Sequence, residues 1–163
     1  MSRIVGALAV LFILCLVGCD TGGTAYRARE GLRFRQGSLD AVPGWSRVRT
    51  STGTVYLDPD VVLGSRDVEY VQDGGCSGGA CHVNFRFTAN GARRMARFST
   101  SHIGRYLAIV VDDKVVTVAS IAAPMTDSLQ ETLGSRKEAE DLLREVAIRG
   151  ESDAESGKGG RSI

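Results

Sequence analysis

Hydrophobic and polar positions alternate through most of the chain after residue 31, with two stretches at helical spacing. Leu32-Arg33-Phe34-Arg35 alternates apolar and basic, the signature of a half-buried strand. Gly37 to Gly44, with Pro43, reads as a loop, and Trp45 and Val48 open the packed body. Thr54 to Leu57 reads as a short strand stopped by the turn signal Asp58-Pro59, and Val61–Leu63 and Val68–Val71 flank Gly64. Val68 and Tyr70 against Val83, Phe85 and Phe87 predict a hairpin whose connection, Asp73 to Cys81, is so rich in glycine that it is floppy unless a Cys76–Cys81 bond clamps it. Thr88 is placed to cap a helix carrying Ala92, Met95, Ala96, Phe98 and Ile103, stopped at Gly104. Tyr106–Val111 and Val115–Ile121 are apolar strands around a tight Asp112-Asp113-Lys114 turn, and Leu129–Leu133 is a further short strand. Ser135 to Glu138 is a capping box opening a second helix with the stripe Ala139, Leu142, Leu143, Val146 and Ala147. The expected class is α+β, an antiparallel sheet with two amphipathic helices on one face, over residues 32–150. Residues 151–163 carry too little apolar surface to fold and are expected to be a disordered tail.

The amino end obeys another rule. Arg3 precedes 14 apolar positions, Ile4 to Val17, and Gly18 precedes Cys19. A charged start, a short apolar run and a small residue before the cut describe a secretory signal, here 1–18. A helix of that run spans only about 21 Å, short of a ~30 Å hydrocarbon core. Leu16-Val17-Gly18-Cys19 resembles a bacterial lipobox, which implies acylation of Cys19 and cleavage before it. Residues 19–31 are then a lipid-anchored tether on the extracytoplasmic face, and Asp20 favours the inner membrane by the sorting rule of enteric-type lipoproteins.

Composition narrows the partners. Basic and acidic residues number 20 and 19, and Arg3 is the only charge of the signal, so residues 19–163 are neutral and lack the basic stripe of a nucleic-acid binder. Removal of the signal and acylation of Cys19 leave Cys76 and Cys81 as one pair, in an exported chain most simply a disulfide. Zinc at Cys76, Cys81, His82 and His102 is the rival reading, but His102 lies on the first helix with no evident geometry for a four-ligand site. A thiol nucleophile served by His82 is weaker, because adjacent strand residues point to opposite faces. No G-x-S-x-G, H-E-x-x-H or phosphate loop occurs. Binding rather than catalysis is expected, with no metal and no cofactor.

Longer stretches resemble a known module. Phe87-Thr88-Ala89-Asn90-Gly91-Ala92-Arg93-Arg94-Met95-Ala96 is similar to the F-T-x-x-G-A-x-x-F/M-A stretch in the first periplasmic domain of SecD. Ile103-Gly104-Arg105-Tyr106-Leu107-Ala108-Ile109-Val110-Val111-Asp112 resembles its I-G-R-x-L-A-I-V-L-D run, continued by Lys114-Val115-Val116. Val61 to Val68, Ala123-Pro124-Met125 and Glu138 to Leu142 resemble three further segments. The resemblance spans roughly Gly53 to Gly150 and implies the head subdomain, which in that family contacts the emerging substrate protein. The family's transmembrane segments do not appear in this sequence, the Cys76–Cys81 loop is additional, and Asp113 stands where the family usually has glycine. The expected contact surface is an exposed sheet edge or the 105–121 hairpin, with Arg105, Tyr106, Asp112, Asp113 and Lys114 as contact residues. The expected partners are the membrane, through the anchor, and an unfolded or envelope polypeptide or the export machinery. The alternatives are a structural envelope lipoprotein and a redox or metal protein using the Cys76/Cys81 loop.

Overall fold

The computed structural model describes residues 23–148. The signal 1–18, Cys19, Asp20 and the 151–163 tail lie outside the described residues. In chain order the strands are β1 (Ala25–Ala28), β2 (Leu32–Ser38), β3 (Ser46–Thr50), β4 (Gly53–Gly64), β5 (Val68–Ser77), β6 (Ala80–Phe87), β7 (Tyr106–Val111), β8 (Lys114–Ser120), β9 (Ser128–Leu133) and β10 (Ala147–Ile148). A single 3-10 turn at Ser65–Asp67 joins β4 to β5, and the helices are α1 (Ala89–Ser101) and α2 (Arg136–Val146).

The class is α+β, but the strands divide between two antiparallel sheets, β10-β1-β5-β6-β9 and β3-β4-β2-β7-β8. Strand β6 shows why they stack. Cys81, Val83, Phe85 and Phe87 are buried at every second position, and the residues between them are half-exposed. Phe34 of β2 meets Phe85 and Phe87 edge-on, with ring centroids 5.6 and 5.8 Å apart. The apolar faces of α1 and α2 enter the same core through Met95 and through Ala139, Leu142, Leu143 and Val146.

In the second sheet, strand β7 is buried on both sides. In β7, Leu107, Ile109 and Val111 belong to the main core, while Ala108 and Val110 join Val55 and Leu57 of β4 in a smaller one. Strand β4 serves both cores through bulges opposite β2. Phe34 pairs with Leu63, Arg35 with Val61 and Gly37 with Leu57, so the extra residues all lie on β4. Leu63 therefore joins Leu32 and Phe34 in the main core, and Leu57 the smaller one, where Gly37 lies against Val55 and Ala108.

Several sequence expectations change here. Asp58-Pro59 does not end the strand: the bulge absorbs it, Pro59 is exposed, and Arg35 Nε donates to the Asp58 carbonyl at 2.7 Å. Ala25–Ala28, inside the expected tether, is a strand paired with both β5 and β10. The glycine-rich 73–81 segment is bridged by the Cys76–Cys81 bond that the sequence implied. Its backbone continues the ladder to the Ser77–Ala80 pair, leaving only Gly78-Gly79 as the turn, with φ of 61° and 86°. Two positive φ values make the I′ turn that suits strand twist.

Both helix starts are as the sequence implied, with one variation. Thr88 Oγ1 accepts from the Gly91 N–H at 3.1 Å, and Ser135 Oγ from the Glu138 N–H at 3.2 Å. The Glu138 carboxylate takes the Gly134 N–H, one residue farther back than a capping box requires.

Candidate functional site

Strand β8 reads Lys-Val-Val-Thr-Val-Ala-Ser, β-branched and almost uncharged. It pairs with β7 on one side, and among the described residues no strand covers its other side. At the far end of the sheet, β3 pairs, among the described residues, with β4 alone. Most proteins blunt such edges with proline, charge or a bulge. Here the blunting is slight: Lys114 at the start, and one bulge where Val115 pairs with Val110 but Thr117 with Ile109. The inserted residue, Val116, packs on the main core, whereas Val115 and Val118 pack on the smaller one together with Val48 of β3.

Both edge strands border one open groove of about 900 Å3, lined by Val48–Thr52, by Lys114–Val118 and, from the first sheet and its helix, by Leu133 and Leu142. One lip is acidic: Glu138, Asp141 and Glu145 project from α2. Lys114 Nζ meets Glu145 at 3.0 Å, so the hairpin is tied to this lip. The hydrogen bond from Lys137, seconded by Arg144, holds the Asp141 carboxyl below the usual carboxylate range. The other lip carries exposed Arg49. Beside the groove, Thr117 Oγ1 donates to Glu131 Oε1 at 2.9 Å, joining β8 of one sheet to β9 of the other. Burial raises the Glu131 carboxyl above its ordinary value, and the Thr117 hydrogen bond opposes that only in part. A groove with free backbone edges, a valine floor and charged lips suits an extended polypeptide. Main-chain hydrogen bonds hold such a guest, and alternate side chains set its register.

The contact residues expected from the sequence do not form one cluster. Asp112 and Asp113 make the β7–β8 turn, with φ of 48° and 65°, and Lys114 comes directly after it. Arg105 and Tyr106 stand at the opposite end of β7, where the Arg105 carbonyl accepts from the Ile121 N–H at 2.8 Å. Only Lys114 of the five lines the groove, and Asp113 is engaged by Arg33 at 3.2 Å. The β8 valines that line the groove belong to the hairpin the sequence singled out, whereas Val48 and the acidic face of α2 are lining residues that sequence reasoning misses. The apolar run of β8 is a usable signal, but β3 and α2 reach the groove only through the tertiary fold.

Cys76 and Cys81 are directly opposed in the β5–β6 ladder and joined by a disulfide, with Cα atoms 4.0 Å apart. Cys81 is buried, and His82 turns to the other face toward Gln130 and Thr132, with Nδ1 2.9 Å from Gln130 Nε2. His102 succeeds the last turn of α1, stacked on Phe98 with its Nδ1 2.7 Å from the Phe98 carbonyl. Among the described residues, no three His, Cys, Asp or Glu gather as metal ligands.

Residues 44–150 match the family model of the SecDF P1 head subdomain. The chain belongs to that family. Relatives of the P1 head include the protein translocase subunit SecD of Koribacter versatilis, 28% identical over 110 residues, which cover 66% of this chain and 21% of that one. The SecD of Thermobaculum terrenum is 30% identical over 118 residues, 72% of this chain and 21% of its own. The chain thus spans about a fifth of the length of these relatives. Two solved SecDF structures share the fold. One, described as a membrane component that enhances protein export, gives a TM-score of 0.52 at 21% identity over 74% of this chain and 64% of that one. The other, a super-membrane-facing form, gives 0.51 at 22% identity over 75% and 19%. Among the described residues of this P1 head, no helix is long and apolar enough to cross a membrane.

Proposed function

We propose that this protein is a lipid-anchored, extracytoplasmic P1 head module that binds extended polypeptide segments along β8, in the service of protein export or envelope biogenesis. The observation that carries the proposal is the uncovered, valine-rich edge of β8 on a groove that β3 also borders. The relatives' names, translocase subunits, supply the kind of client: a chain not yet folded, which still offers unpaired backbone. The Gly18-Cys19 junction supplies the anchor, since several acyl chains hold a protein stably where one does not.

The test is a photoreactive amino acid at Lys114, which lines the groove, with Glu69 on the first sheet as the control. Illumination of intact cells should trap exported or envelope polypeptides from position 114 and few from 69. Equal labelling at the two positions, or none above background at 114, would overturn the proposal.

A further inference from the structure

The way out of the fold toward Cys19 runs beside the disulfide hairpin. Strands β1 and β5 are antiparallel, with Ala25 opposite Gln72 and Tyr26 opposite Val71. Going backward along β1 therefore means going forward along β5, toward the hairpin tip. Gly23 is held at this end of the sheet, its carbonyl accepting from Gln72 Nε2 at 2.7 Å. Gly23 lies against the Asp73 backbone, short of the turn that begins at Gly78. Even fully extended, the four residue steps from Gly23 to Cys19 span at most about 14 Å. The hairpin projects about as far, roughly 13 Å, over the same number of strand residues. An acylated Cys19 at the bilayer surface thus lies at most a few ångströms beyond the tip, and any slack in the tether draws the tip closer.

The composition of the tip fits that position. From Gly74 to Phe85 there is no Asp, Glu, Lys or Arg, and the apex is Ser77-Gly78-Gly79-Ala80. Nothing there repels anionic headgroups, and nothing is large and apolar enough to insert. Leu133 pairs with Cys81, so α2 starts beside the base of the tip, where the exposed Lys137 is paired with Asp141 at 2.6 Å. The Cys76–Cys81 bond crosses the ladder just behind the apex.

We infer that the Ser77–Ala80 tip rests on the headgroups of the anchoring membrane, as a foot that sets the orientation of the domain. The inference rests on the lipid-anchored reading. With the tip down, the Ser65–Asp67 turn at the other end of β5 points away from the bilayer.

The test uses the full acylated protein in phosphatidylethanolamine–phosphatidylglycerol vesicles, with a photoreactive amino acid at Ser77 or, as the control, at exposed Arg66. Phospholipid adducts should be several-fold more abundant from 77 than from 66. A Gly-Ser insert twice the length of the tether, between Thr21 and Gly22, should abolish that excess. The intact mass of the same sample reports acylation. An acylated protein with no excess at 77, or one whose excess survives the insert, overturns the foot and leaves the anchor standing. A protein without acyl groups overturns the anchored reading and the foot together.

Discussion

Gly91 lies so close to the backbone of Asp67 that a Cβ on the glycine would stand 2.3 Å from the Asp67 carbonyl oxygen. The same carbonyl accepts from the Thr88 N–H at 2.9 Å, and the Asp67 carboxylate meets Arg94 at 2.8 Å. The Phe-Thr…Gly-Ala stretch is therefore a docking device. Phe87 fills the core, Thr88 caps α1, Gly91 lets the helix touch the Ser65–Asp67 turn, and Met95 closes the core again. Gly91→Ala gains helix propensity yet forces the backbone apart, so a net loss of about 1–3 kcal/mol is expected in denaturant unfolding. An unchanged midpoint would mean that the contact is not tight.

The β7–β8 turn holds two aspartates at positive φ, a conformation that costs L residues about 1–2 kcal/mol, less for Asp. Asp113→Gly should stabilise the protein by about 0.5–1 kcal/mol, since the exposed Arg33 contact it gives up is worth little. Thermal unfolding checks the sign. A lower midpoint would show that the ion pair outweighs the backbone.

Glu131 predicts a dependence on pH. Its carboxyl is raised above 4.5 by burial in the fold, so ionisation opposes folding. That penalty is fully present above the folded pKa and vanishes as pH falls below the unfolded value. Glu131→Gln should raise the melting midpoint at neutral pH and make no difference once the carboxyl is protonated in both states. A gain that persists in acid would assign the effect to packing instead.

Replacing Cys76 and Cys81 together by serine opens a short loop, and chain entropy sets the loss at about 2 kcal/mol. Denaturant unfolding should show that loss, with crosslinking from Lys114 unaltered, because neither cysteine lines the groove. Crosslinking abolished in a folded double variant would move the function to the disulfide loop.

Local chemistry makes both helices readable from the sequence. The caps Thr88 and Ser135 and the stripe through Leu142 and Val146 are short-range signals. So is β6, whose alternation survives burial against a single core. Strand β4 is not, because Asp58-Pro59 has the sequence of a stop and becomes a bulge only when β2 lies alongside. The Gly74–Ser77 stretch is held by backbone pairing and the Cys76–Cys81 bond and leaves no alternating side-chain pattern. The groove is the least legible feature. It exists because bulges in β4 and β8 redistribute residues between two cores, bringing Val48 and Val115 together across 67 positions of sequence.

Amide hydrogen exchange on β8, with and without an unfolded exported polypeptide, tests the peptide-binding account most directly. In the free protein, the amides of β8 that face the groove should exchange quickly, while those bonded to β7 are protected. Added polypeptide should slow the groove-facing amides of β8 and leave the β5–β6 hairpin as it was. Protection that appears elsewhere, or no change on β8 at saturating polypeptide, would contradict strand addition at this edge.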